Sequence, residues 1–108
     1  MSPTQLSKKH LTEQGYLPWI TEHWNSFAKI RQDLFGFIDI IAVKEGSILG
    51  VQTTSKSNLS ARVKKIKESE YLPIILSSGM RVIVHGWSKK KIGRKNVFEL
   101  TQREIHGD

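Results

Sequence analysis

From Phe37 to Val43 the chain reads Phe-Ile-Asp-Ile-Ile-Ala-Val, apolar at both alternating sets of positions except for Asp39. A strand with one wet face alternates apolar and polar residues, so this run predicts a central strand covered on both sides. Lys44-Glu45-Gly46-Ser47 is turn chemistry, and Ile48 to Thr54 resumes the strand pattern. The two runs therefore predict a β-hairpin, and the sheet that holds it needs helices on its faces.

Further along, Leu59, Val63 and Ile66 recur at helical spacing, while Arg62, Lys64, Lys65 and Lys67 fill the remaining surface. That spacing predicts an amphipathic helix with a basic outer face, capped by Ser57 or Asn58. Ser2-Pro3 with Gln5 reads as the start of a first helix over about 3 to 14, with Gly15 as its stop and Leu6 and Leu11 as a thin apolar stripe. Leu17 to Trp24 fits a first strand, followed by an irregular stretch to Gly36. Pro73 ends the basic helical region, and Ser77-Ser78-Gly79 is a turn. Met80 to Trp87 and Val97 to Ile105 read as two more strands, joined by a loop from Ser88 to Asn96 that carries Lys89, Lys90, Lys91, Arg94 and Lys95. The pattern describes one α/β domain over residues 1–108, a mixed central sheet flanked by helices.

Charge narrows the partner. Seventeen Lys and Arg stand against ten Asp and Glu, a net charge of +7, which favours capture of polyanions. Nucleic acid is the expected partner. The absence of cysteine excludes disulfides, thiolate zinc sites and cysteine nucleophiles. The longest apolar run, Leu34 to Val43, is broken by Asp39 and falls well short of the roughly 20 residues that cross a bilayer. No membrane partner is expected. Lys8, Lys9 and His10 lead into no apolar segment, so no secretory signal is expected either, and a cytoplasmic location follows as the expectation. His10, His23, His85 and His106 lack paired metal-ligand spacing and read as structural or surface residues. Trp19, Trp24 and Trp87 have rings that can stack on bases, although burial is the commoner fate of tryptophan.

The chemistry concentrates in the hairpin. A turn symmetric about Glu45 and Gly46 pairs Val43 with Ile48, Ile41 with Gly50 and Asp39 with Gln52, and directly opposed Cβ atoms lie about 5 Å apart. The period of two places Thr54, and Lys56 if the strand persists, on the face of Gln52. A carboxylate between Ile38 and Ile40 costs several kcal/mol to bury unless a cation or hydrogen-bond donors compensate it. Two readings stay open at this point: a divalent-metal site, or a carboxylate satisfied by Gln52 and backbone groups. Glu13, Glu22 and Asp33 are the acids available upstream to join it.

The order of an initial helix, a strand, Gly36-Phe37-Ile38-Asp39-Ile40-Ile41-Ala42-Val43, a short turn, Gly50-Val51-Gln52-Thr53-Thr54 and a basic helix resembles the PD-(D/E)XK nucleases, especially small Holliday-junction-resolvase-like and phage types. The resemblance covers about residues 3 to 87. It implies a restriction-endonuclease-like sheet and a metal-dependent DNA endonuclease, structure-selective or weakly specific. Asp39 matches the aspartate of the first motif, and Ile38 replaces the signature proline. Gln52 stands where the family has Glu or Asp, and its carbonyl oxygen remains a hard ligand. Thr54 stands at the position of the catalytic lysine, with Lys56 as a relocated substitute. Mg²⁺ or Mn²⁺ would then be held by Asp39, Gln52 and the Thr53 backbone carbonyl, with Glu13 as the upstream acid. Arg62, Lys64, Lys65, Lys67 and the Lys89 to Lys95 segment would grip phosphates. A homodimer suits an enzyme that must cut two strands. The alternatives are a nuclease-fold module that binds nucleic acid without cutting it, and, third, a protein-interaction module with a basic face.

Overall fold

A computed structural model describes residues 1–107. The elements in chain order are α1 (Pro3–Glu13), β1 (Leu17–Ile20), β2 (His23–Asn25), β3 (Ile30–Gln32), β4 (Ile40–Lys44), β5 (Ser47–Ser55), a 3₁₀ turn (Lys56–Asn58), α2 (Leu59–Lys67), α3 (Leu72–Ser77), β6 (Arg81–Ile92) and β7 (Lys95–Ile105). Five strands form one mixed sheet in the order β1-β4-β5-β6-β7, and β2 and β3 form a separate two-stranded ribbon. Only the β5–β6 pairing is parallel in the large sheet. A parallel step needs a crossover, and α2 and α3 supply it.

The doubly apolar strand pattern explains the layers. Ile40, Ala42, Leu49, Val51 and Ile83 form one core with Leu11 of α1. On the other face Val82 and Val84 pack with Leu59, Val63 and Ile66 of α2 and with Leu72 and Ile75 of α3. Each such large side chain removed from water contributes about 1.5–3 kcal/mol, which is what holds two thin helical layers on the sheet. The β4–β5 turn is the short one the sequence predicts, with Gly46 at φ 75° and Val43 opposite Ile48. Positive φ suits a two-residue hairpin, and glycine takes it without steric cost.

Four local expectations change. The segment 17–24 is two strands, not one, because Thr21 turns its backbone onto residues 38 and 39 and β2 leaves to pair with β3. The stretch from there to Gly36 is thus partly ordered as a ribbon. Pro73 lies in the first turn of α3, where its missing N–H has no helical partner to lose, so it starts a helix. Neither Ser57 nor Asn58 caps α2 through a side chain, since the chain enters it through the 3₁₀ turn. Finally, residues 88–96 are no loop. Pairing continues through Lys89↔Phe98 and Lys91↔Asn96 to a two-residue turn at Gly93 and Arg94. Lysine is uncommon in strands because it gains little from a half-buried surface, but this arm is exposed along its outer length and imposes no such demand.

Candidate metal and nucleic-acid site

Asp39 owes its position to a break in the strand period. Ile38 belongs to the core under α2, and Ile40, two residues later, to the core under α1. A regular strand would put both on one face. Ile40 pairs with Val51, and the Asp39 N–H also donates to the Val51 carbonyl at 2.9 Å. Two residues therefore oppose one, as in a β-bulge. Thr21 occupies the carbonyls beside the bulge: its N–H donates to the Asp39 carbonyl at 2.8 Å and its hydroxyl to the Ile38 carbonyl at 2.6 Å.

The bulge re-aims the carboxylate. Asp39 Oδ2 accepts from the Thr53 N–H at 2.7 Å and from the Thr53 hydroxyl at 3.2 Å, and that hydroxyl lies 2.9 Å from the hydroxyl of Thr4 on α1. The β4–β5 ladder ends at Ile40↔Val51, so the paired opposition of Asp39 and Gln52 is not formed. Gln52 lies level with Val84 on the α2 face, whereas the Asp39 carboxylate reaches Thr53, level with His85 on the α1 face. The two side chains nonetheless line one cavity of about 300 Å³ at the end of the hairpin. Gln52 is 2% exposed and, among the described residues, has no side-chain hydrogen-bond partner. Among the described residues no side-chain nitrogen or oxygen sealed from solvent is left unpaired, so the Gln52 amide opens into the cavity.

The other acids come from the small ribbon. Glu22 follows Thr21 directly, and Asp33 follows β3, so the ribbon brings both back beside the bulge. Carboxylate oxygens of Glu22, Asp33 and Asp39 lie within 4.8 Å of one another, an arrangement able to hold a metal ion. Burial pushes the Asp39 carboxyl up to about 7; the Thr53 N–H pulls against this, and neighbouring Asp33 pushes the same way as burial. Arg31 lines the cavity and meets Glu22 at 3.1 Å. Arg62 of α2 and Thr4 near the N-terminus of α1 complete the rim. A cation placed here would meet hard oxygen donors, the type Mg²⁺ and Mn²⁺ prefer.

Two expected participants lie elsewhere. Glu13 sits at the far end of α1 from Thr4 and lines a different cavity with Trp87 and Phe98, because helical rise carries it down the sheet. Glu22 and Asp33 take its place beside Asp39. Lys56 begins the 3₁₀ turn and lines another cavity with Ser55, Ser57 and Trp87, since the strand has ended and the alternation no longer holds. Arg31 and Arg62 are the cations that reach the acidic cavity. What selects Glu22 is tertiary: the register of β1 on β4, Ile20↔Ile40, carries Thr21 to Asp39 and leaves Glu22 next in line.

His85 is structural in its contacts. It is buried on the α1 face, with Nδ1 2.8 Å from Ser7 Oγ. Trp87 Nε1 also donates to that oxygen at 2.8 Å, so the Ser7 hydroxyl proton is free to go to His85. Burial, with a smaller contribution from His10, lowers the His85 pKa to about 4 and keeps the ring neutral. Trp87 is half-buried, whereas Trp19 and Trp24 are exposed. Lys64, Lys65 and Lys67 are exposed on α2, and Lys89, Lys90, Lys91, Arg94 and Lys95 are exposed on the β6–β7 arm.

Compared with protein-family models, curated proteins and solved structures, the chain matches none. Its class rests on what the structure itself displays: a mixed α/β fold with a five-stranded sheet, and a three-carboxylate cluster at one end of its central hairpin. No helix of the described residues is long and apolar enough to cross a membrane.

Proposed function

We propose that the protein is a metal-dependent nuclease of the PD-(D/E)XK type that hydrolyses phosphodiester bonds of DNA. One observation carries the reading: Glu22, Asp33 and Asp39 converge on a cavity into which the unpartnered Gln52 amide also opens. The order α1, β1, the β4–β5 hairpin, α2, β6 supports it, being the succession in which the chain resembles those nucleases.

Asp39, Asp33 and Glu22 are the residues that would hold Mg²⁺ or Mn²⁺, with the carbonyl oxygens of Gln52 and Thr53 as further donors. A bound divalent ion supplies Lewis-acid polarisation of a phosphate and a lowered pKa for water. The chain's own contributions are positional and electrostatic. The Thr53 N–H and hydroxyl fix Asp39 in one rotamer. Arg31 and Arg62 draw a phosphate to the rim and offset charge that develops on it. The exposed cations of α2 and the β6–β7 arm hold the flanking backbone without reading sequence.

Incubation of labelled DNA with Mg²⁺ or Mn²⁺ tests the proposal. Cleavage that EDTA stops and Asp39→Asn abolishes is the expected result. No cleavage of single-stranded, duplex or branched substrates overturns it. A second reading, a module that binds nucleic acid without cutting it, is favoured by Thr54 at the lysine position and by the departure of Lys56 to another cavity.

A further inference from the structure

Beside the acidic cavity lies a second one of about 640 Å³, and the two share Arg31 and Asp33 in their walls. Its size falls in the range that takes a small-molecule-sized group. Phe35 and Tyr71 stand at its mouth with ring centroids 6.3 Å apart, and each is 47% exposed. Lys65 of α2 lines it from the other side. Exposed aromatic rings are costly to leave in water, and the Phe35 ring is carried on an unusual backbone. Phe35 adopts φ 56°, followed by Gly36 at φ 84°, in a turn closed by the Leu34 N–H to the Ile38 carbonyl at 3.0 Å. A bulky residue in the left-handed region is strained, and strain of that kind persists where the surroundings enforce it.

We infer that this second cavity is a base-stacking subsite for an unpaired nucleotide whose phosphate lies at Arg31, next to the acidic cluster. The inference rests on the nuclease reading for its substrate and names the substrate class more narrowly: nucleic acid with single-stranded character at the reacting position. Aromatic faces accept any base by stacking, and the flanking Lys65 and Arg31 match the charge of the backbone on either side. A base paired within a duplex keeps its faces stacked on its neighbours and cannot use the Phe35 and Tyr71 rings. The chain thus joins a sequence-tolerant stacking wall to a cluster of acids through one arginine.

Binding measured in EDTA separates this inference from the catalytic one. The probes are a fluorescent oligothymidylate, the same oligomer with abasic residues in place of bases, and a blunt duplex of equal length, each titrated with the full chain. The wild type is expected to hold oligothymidylate about five-fold or more tighter than the abasic strand, the lower end of the loss of one base–aromatic stack. Tyr71→Ala and Phe35→Ala should remove that preference while leaving the slope of affinity against salt and the duplex affinity unchanged. Tyr71→Phe, which keeps the ring, should retain it. The abasic comparison uses unaltered protein, so it reads out even if a variant fails to fold. Equal affinity of the wild type for the abasic and base-bearing strands overturns the inference, as does a preference that survives both alanine variants. A protein that fails to cut DNA yet shows the base preference would lose the nuclease reading and keep this subsite.

Discussion

Ile38 and Ile40 stand two residues apart in the chain and are packed in opposite cores of the sheet, with Asp39 between them. That inversion of the strand alternation swings the Asp39 carboxylate onto the Thr53 N–H at 2.7 Å and toward Glu22 and Asp33. In a regular strand Ile38 and Ile40 would share one face and Asp39 would point to the opposite one, inside a hydrophobic layer.

Replacing the carboxylate should exchange function for stability. Folded Asp39 keeps its proton up to about 7, against 3.8 for an ordinary aspartate, so the native state binds more protons than the unfolded chain between those values. Metal-free stability therefore falls as pH rises across that window and stays reduced above it. Asp39→Asn, which can still accept from Thr53, should melt higher than the wild type at pH 8 in EDTA. Saturating Mn²⁺ should raise the wild-type melting temperature and leave the variant unmoved, since a ligand at a hundred times its dissociation constant adds about 2.7 kcal/mol. A wild type indifferent to Mn²⁺ would count against the metal site.

His85 gives the opposite pH slope. Its folded pKa of about 4 lies below the ordinary 6.5, so the unfolded chain binds the extra proton and stability is lost as pH falls from 6.5 toward 4. The two slopes overlap, and a melting series in the Asp39→Asn background isolates this one. There His85→Gln should flatten the acid side of the curve. Identical acid slopes with and without His85 would remove the group from the account.

Ser7 ties the first helix to β6 through two contacts, a part-buried one from the Trp87 Nε1–H and a buried one with His85 Nδ1, both at 2.8 Å. Ser7→Ala leaves those ring nitrogens without their partner, which costs about 1–3 kcal/mol for a buried group. Denaturant melts should show a lower midpoint with an unchanged slope. An unchanged midpoint would mean that the rings find other partners.

Gly50 lies where β5 passes under the α2-side core. A Cβ there would come within 2.8 Å of Ile38 Cδ1 and 2.9 Å of Met80 Sδ. Met80 can shift its flexible end, but Ile38 is fully buried and fixed by the turn before the bulge. Gly50→Ala should destabilise by about 1–3 kcal/mol, as overpacked cores do. Because the displaced residue adjoins Asp39, the Mn²⁺-induced melting shift should also shrink. A variant as stable as the wild type would show that this core has unseen room.

DNA affinity should fall steeply with salt. Each phosphate contact removed from duplex binding lowers the log–log slope by about 0.9. Charge removal at Lys89, Lys90 and Lys91 on the β6–β7 arm should reduce the slope stepwise, and Lys64→Ala on α2 should do the same. A flat salt response in the wild type would sink the basic-surface assignment.

The sequence exposes the hairpin because its information is local. Ile41↔Gly50 and Val43↔Ile48 follow from a short turn and from two runs of β-branched residues whose spacing leaves little choice of register. The α2 helix is equally legible from Leu59, Val63 and Ile66, which all end in one core. The β2–β3 ribbon was not legible, since its exposed positions, Trp24 and Ile30 among them, carry no burial pattern to read. The arm formed by β6 and β7 escaped for the same reason, its lysines giving no sign of which side is in.

By itself the sequence determined a mixed α/β chain with helices on its sheet, a basic surface on α2, and Asp39 and Gln52 near one end of the central hairpin. It could not decide which acids stand with Asp39. Glu13, Glu22 and Asp33 are similar in composition and differ only in where distant strands carry them. The tertiary structure made that choice. A bulge broke the period of two on which face assignments rest, β1 pairing placed Glu22 beside it, and the ribbon returned Asp33. The end of β5 also halted the alternation that would have aimed Lys56 at the site, leaving Arg31 and Arg62 there. Periodicity encodes burial along one strand, whereas a site depends on where several strands stop, and stopping points are set by packing between segments far apart in sequence.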